Sequence, residues 1–208
     1  MISQNKKLVI FDFDGVLADT HEFCYSSHKN VNKDLTWEKF KSFSDGNFIN
    51  KVISASNYEA HVIPPDFKEK YKDYIEKINI HDSLDKLIFS IDQDYLLVVV
   101  SSSDTNFINN FLLKENLRDS FSDILGTDVH VSKIIKINNL LEKYNILPKD
   151  AVFITDSLGD ILEANQCNVK SIGVTWGIHG RENLEKGNPI AVIDNPNELL
   201  DLIKKVLK

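Results

Sequence analysis

Phe11-Asp12-Phe13-Asp14-Gly15-Val16-Leu17-Ala18-Asp19-Thr20 follows Leu8-Val9-Ile10, a short β-branched apolar run of the kind that forms a buried strand. The run ends in two acids one residue apart, and then a glycine. Residues two apart on an extended backbone project to the same side. Asp12 and Asp14 therefore leave the strand end facing a common space. Two carboxylates that close repel each other unless a proton or a cation sits between them. A hard divalent ion with oxygen ligands suits the pair, and Mg²⁺ is the usual one. Gly15 lets the backbone turn sharply behind them.

Downstream, apolar runs end in polar residues again and again. Tyr95 to Val100 is nearly all aliphatic, as in a strand buried on both faces, and ends in Ser101-Ser102-Ser103-Asp104. Phe121 to Leu125 ends at Gly126. Ala151-Val152-Phe153-Ile154 ends in Thr155-Asp156-Ser157-Leu158-Gly159-Asp160. Ser171-Ile172-Gly173-Val174 and Ala191-Val192-Ile193 read as further strands. Helical spacing separates them: Leu84, Leu87, Ile88 and Ile91, then Phe107, Ile108, Phe111 and Leu112. Another helix carries Ile134, Ile137, Leu140, Leu141 and Tyr144 behind Ser132 as its cap. One runs to about Cys167, and Asn197 to Leu207 closes the chain. Strands alternating with helices predict an α/β fold, a parallel sheet with helices on both faces.

One segment breaks the alternation. Residues 16–81 contain no convincing strand but many aromatics: Phe23, Tyr25, Trp37, Phe40, Phe43, Phe48, Tyr58, Phe67, Tyr71 and Tyr74. Thr36 is placed to cap a helix beginning at Trp37, and Asp45-Gly46-Asn47 and Pro64-Pro65-Asp66 are turn signals between helices. The chain then divides into a core domain of residues 1–15 and 82–208 and a helical domain of residues 16–81. The helical domain is expected above the C-terminal ends of the strands, where such sheets bind ligands. Most of its aromatic stripe is expected to form a small core.

Composition narrows the function classes. The 208 residues carry 24 basic and 31 acidic side chains, a net charge of -7, with no basic stripe to hold nucleic acid. Cys24 and Cys167 lie far apart with no metal-like spacing, as reduced thiols do. The longest aliphatic run, Leu96-Leu97-Val98-Val99-Val100, is too short to span a bilayer, and no apolar signal core precedes the first strand. The expectation is a soluble cytoplasmic protein, monomer or homodimer, with a small molecule as its partner.

Three strand ends thus bear polar groups: Asp12 and Asp14 on the first, Ser101 and Ser102 on the second, Asp156 and Asp160 on the fourth. Lys133 opens the helix before the fourth strand. With these motifs the chain resembles the haloacid dehalogenase (HAD) superfamily of phosphohydrolases. Asp12 to Thr20 is similar to its first motif, Val98-Val99-Val100-Ser101 to its second, Lys133 to its third and Asp156 to Asp160 to its fourth. Gly173-Val174-Thr175-Trp176-Gly177 resembles a segment of phosphoglycolate-phosphatase-like members. The sequence departs from the pattern at Thr155, where glycine is common, and after Lys133, where many relatives have proline.

The resemblance implies a Rossmann-like sheet of order 3-2-1-4-5, with residues 16–81 as a C1-type cap. It also implies an aspartyl-phosphate mechanism: Asp12 as nucleophile, Asp14 as general acid and base, and Mg²⁺ held by Asp12, the Asp14 carbonyl, Asp156 and Asp160. Ser101, Ser102 and Lys133 would hold the phosphoryl oxygens, with Lys136 a competitor for Lys133. Thr20 and Asp19 are expected as structural caps, and His21 and Glu22 stand where substrate contact is conceivable. The activity implied is hydrolysis of a small phosphorylated metabolite. A phosphosugar mutase, or a non-catalytic binding module on the same fold, are the alternatives.

Overall fold

The computed structural model describes residues 6–47 and 66–208. Phe48, Tyr58 and the Pro64-Pro65 turn lie outside them. Six strands form one parallel sheet: β1 (Lys7–Phe11), β2 (Tyr95–Val100), β3 (Phe121–Leu125), β4 (Ala151–Thr155), β5 (Lys170–Val174) and β6 (Ala191–Ile193). Their order is β3-β2-β1-β4-β5-β6. This contains the expected 3-2-1-4-5 and adds Ala191–Ile193 at the edge. The register pairs Val9 with Leu97 on one side and with Val152 on the other, so β1 is central.

The alternation along each strand sorts side chains between two cores. Val9, Phe11, Leu97, Val99, Val152 and Ile154 face one layer. Leu8, Ile10, Leu96, Val98, Ala151 and Phe153 face the other. That is why these strands are apolar at consecutive positions, since both faces are covered.

Nine helices flank the strands among the described residues. Three belong to the segment after β1: α1 (His21–Val31), α2 (Trp37–Ser42) and α3 (Phe67–Ile75). The rest are α4 (Leu84–Ile91), α5 (Thr105–Lys114), α6 (Lys133–Tyr144), α7 (Leu158–Gln166), α8 (Arg181–Glu185) and α9 (Leu199–Val206). The buried faces of α4, α5 and α9 join the first core, and Ile137, Leu140 and Leu141 of α6 join the second. Thr36 caps α2 as expected, accepting from the Lys39 amide at 3.2 Å. Ser132 precedes α6 but makes no side-chain cap, because its hydroxyl donates to Glu163 instead. The last helix starts at Leu199 and not at Asn197, since Pro196 sets a 3-10 turn first.

The helical segment leaves and re-enters the sheet through one narrow passage. The His81 amide donates to Leu17 O at 2.9 Å, and Ala18 bridges Ile80. Its Tyr71 and Ile75 pack into the first core beside Phe13 and Leu17, while Leu35, Phe40 and Phe43 gather around Ile178 in a smaller cluster. Gly46 O lies where a β-carbon on Gly159 would come within 2.1 Å of it, so glycine at 159 lets the segment rest directly on the first turn of α7.

Candidate active site

The loops after β1, β2 and β4 meet at one end of the sheet, as their shared parallel direction requires. They surround a cavity of about 370 Å³. Asp12, Asp14, Ser102, Lys133, Asp156 and Asp160 line it from the sheet side, and His21, Phe40, Phe67 and Tyr71 from the helical segment.

Asp12 is buried and held at both oxygens. Oδ1 accepts from the Phe13 amide at 2.7 Å, and Oδ2 lies 2.8 Å from Lys133 Nζ. The same ammonium stands 2.6 Å from Asp160 Oδ2. Burial pushes the Asp12 carboxyl well above the usual range, Lys133 draws it down, and the neighbouring Asp160 and Asp156 push it up again. Asp160 is pushed up by burial too, but Lys133 and hydrogen bonds hold it below its ordinary value. One of those bonds comes from Thr155 Oγ1 at 2.8 Å. The threonine that departs from the family pattern therefore supports the acid five residues on. Burial alone would lower the Lys133 ammonium, but Asp12 and Asp160 raise it, so it remains a cation.

Lys136, three residues further along α6, does not reach the acids. Its Nζ donates to Ser101 O at 2.5 Å and Gly126 O at 3.2 Å, tying the loops after β2 and β3 together. Burial, then the charge of Lys133, bring it down to about 8.

Asp14 is enclosed by four hydroxyls. Thr20 Oγ1 and Tyr71 OH donate to Oδ1 at 2.7 and 2.6 Å. Ser103 Oγ and Ser101 Oγ donate to Oδ2 at 2.7 and 3.2 Å. Thr20 was expected as a cap, but its side chain makes no cap bond and turns to Asp14 instead. Ser101 is fully buried and its hydroxyl faces Asp14, whereas Ser102 and Ser103 line the cavity. Asp19 is exposed, and its carbonyl accepts from Tyr74 OH.

Asp156 sits between two loops. Its Oδ2 accepts from His21 Nε2 at 2.6 Å and from the Ile178 amide at 2.7 Å. Burial would lower the His21 imidazole, yet Asp156, Asp14 and Asp19 together raise it. Gly15, at φ 76°, passes so close that a β-carbon there would lie 2.1 Å from Asp156 Oδ2. Glu22 is exposed and outside the cavity lining.

Sequence reasoning passed over Tyr71 and Ser103. Ser103 carried a signal, since residues 101 and 103 share a side of an extended backbone. Tyr71 carried a fainter one: a tyrosine deep in an aromatic stripe needs a partner for its hydroxyl. His28 and His179 are buried as well. His179 Nδ1 accepts from the Leu158 amide at 3.0 Å, so its Nε2 bears the proton and donates to Lys41 O at 3.2 Å.

Among the described residues, no three histidines, cysteines or acids already converge as a metal cage. The donor chemistry nonetheless fits a hard cation. Asp12, Asp14, Asp156 and Asp160 share the cavity with the buried Lys133, and the side-chain hydrogen bonds of Asp156 all fall on Oδ2.

Residues 9–174 match the sequence profile of the haloacid dehalogenase-like hydrolases. The chain belongs to the haloacid dehalogenase-like hydrolase family. It is similar to the phosphoglycolate phosphatase of Vibrio vulnificus, 24% identical over 98% of each chain. It is also similar to that of Synechococcus elongatus, 20% identical over 96% of this chain and 98% of the relative. Among solved structures, a predicted phosphatase from Clostridium acetobutylicum superposes with a TM-score of 0.76 at 27% identity, covering 96% of this chain and 99% of the other. A hydrolase from Pseudomonas syringae shares the fold at a TM-score of 0.79 and 16% identity, over 98% and 100% of the two chains.

Proposed function

We propose that this family member is a Mg²⁺-dependent phosphoric monoester hydrolase. It acts on a small phosphorylated metabolite through an aspartyl-phosphate, with residues 16–81 as a cap over the site. The observation that supports this most is the division of labour between the two acids of the first loop. Asp12 is fixed by an ammonium and an amide, and Asp14, two residues on, is fixed by hydroxyls alone. One suits a nucleophile beside a phosphate, the other a proton carrier.

In the first step an Asp12 oxygen attacks phosphorus as the bond to the leaving oxygen breaks, and Asp14 gives that oxygen its proton. In the second, Asp14 takes a proton from water, whose oxygen attacks phosphorus and releases Asp12 and inorganic phosphate. Lys133 and Ser102 border the space where phosphoryl oxygens would lie. Asp12, the Asp14 carbonyl and Asp156 would hold Mg²⁺, with Asp160 supporting directly or through water. The ion, when bound, offsets the repulsion between an anionic nucleophile and an anionic phosphate. The helical segment, seated on Gly159 and Ile178, keeps bulk water from the reacting atoms.

The cavity volume suits a metabolite of a few carbons. Phosphoglycolate, the compound in the names of the Vibrio and Synechococcus relatives, is the first ester to try. The test is phosphate release from a panel of small esters, in Mg²⁺ and in EDTA, by wild type and Asp12→Asn. We expect metal-dependent release that falls about 10³-fold or more in the variant, with the fold intact. Release in EDTA would overturn the metal assignment, and an active variant would overturn the nucleophile. A folded protein inactive on every ester would turn attention to the mutase and binding-module alternatives.

A further inference from the structure

Of the four hydroxyls around Asp14, three come from nearby loops. Ser101 and Ser103 follow β2, and Thr20 lies six residues along from Asp14 itself. The fourth, Tyr71, is 57 residues away in sequence, on the last helix of the segment before it returns to the sheet. Its ring is 2% exposed and stacks on Phe67 at 5.5 Å, with Phe107 edge-on at 5.3 Å. Those contacts leave the hydroxyl one direction, toward Asp14 Oδ1 at 2.6 Å and Ser103 Oγ at 3.1 Å.

We propose that Tyr71 is a positioning residue for proton transfer, orienting the Asp14 carboxyl toward the leaving oxygen. The proposal rests on reading Asp14 as the general acid and base. With two donors on each oxygen, the carboxyl cannot rotate about its Cβ–Cγ bond, and withdrawing α3 removes one donor from Oδ1. The contact between Tyr71 and Ser103 supplies the necessary slack. Either hydroxyl can donate to the other, so one can release Asp14 when the carboxyl carries its proton and still keep a partner. Burial, then the Asp14 charge, push the phenol well above its ordinary value, so it remains an O–H donor at working pH.

Tyr71→Phe keeps the ring and its stacking while deleting the hydroxyl. Wild type and variant are compared on an alkyl phosphate, whose leaving oxygen needs a proton, and on p-nitrophenyl phosphate, whose leaving group departs without one. We expect kcat on the alkyl ester to fall about 10- to 100-fold. KM and turnover of the aryl ester should stay within about threefold of wild type. Equal loss on both esters, or no loss on either, would overturn the positioning role and leave Tyr71 as a core residue with a satisfied hydroxyl. Failure of the underlying reading looks different: wild type would be inactive on both esters, or Asp12→Asn would remain active.

Discussion

Lys133 is 3% exposed and stands within 2.8 Å of two carboxylates, Asp12 and Asp160. Removing its charge leaves both acids buried without a cation, a loss of roughly 3–5 kcal/mol for a pair broken on one side. Lys133→Ala should therefore lower both melting temperature and kcat/KM, the latter by about 100-fold through lost stabilisation of phosphoryl charge. Lys136→Ala should cost stability, since Ser101 O and Gly126 O lose their donor, but should harm turnover less. Kinetics and melts on both variants decide between them, and the reverse order would give Lys136 the phosphate role. At this scale the sequence already named the acids: an apolar run followed by Asp12 and Asp14 carries its meaning in local spacing. It did not separate Lys133 from Lys136. Both sit on the buried side of α6, and only the docking of that helix aims one at the acids and the other at carbonyls. Nor did it show which serine of Ser101-Ser102-Ser103 faces Asp14 and which faces the cavity.

His179 joins elements that the chain keeps far apart. It follows β5, accepts from the first turn of α7 and donates to the carbonyl of Lys41 in α2. Burial holds its imidazole below the usual 6.5. Above pH 6.5 the ring is neutral in both folded and unfolded chains, so its contribution to stability is whole. As pH falls below 6.5 the unfolded chain takes up the proton first, and stability drops until the lower folded value is passed. His179→Gln should lose roughly 1–2 kcal/mol at pH 7.5. Wild type should lose that advantage progressively toward pH 5. Denaturant melts of both proteins across this range test it; a difference that stays constant with pH would show that His179 does not titrate on unfolding. Helices and strands themselves were largely legible, because Tyr95–Val100 or Leu84–Ile91 declares its period within a few residues. The joints between them were not. A histidine in a glycine-rich loop bears no local mark of the two elements it will link.

Over the whole molecule, the sheet and the helical segment share apolar surface. Tyr71 and Ile75 belong to the same cluster as Phe13, Leu17 and the β1 and β2 side chains. Elements that share a core unfold together. The two tryptophans report on the two parts, Trp37 in the helical segment and Trp176 beside Val16 in the sheet layer. Thermal melts followed by fluorescence of Trp37→Phe and Trp176→Phe should coincide with each other and with the helical signal. An earlier transition reported by Trp37 would show that the segment melts by itself. The amino-acid order alone determined the alternation of buried strands and amphipathic helices, the helical interruption after β1, and the acids at two strand ends. Each of these is written in neighbours a few residues apart, through side-chain period and turn chemistry. Tertiary structure alone decided that the Ala191–Ile193 strand takes the edge beside β5, that Lys133 bridges Asp12 and Asp160, and that Tyr71 reaches Asp14 from 57 residues away. A periodic pattern tells which face of an element is buried but not what covers it. The partner is chosen when whole elements dock, by distances that no local stretch of chain contains.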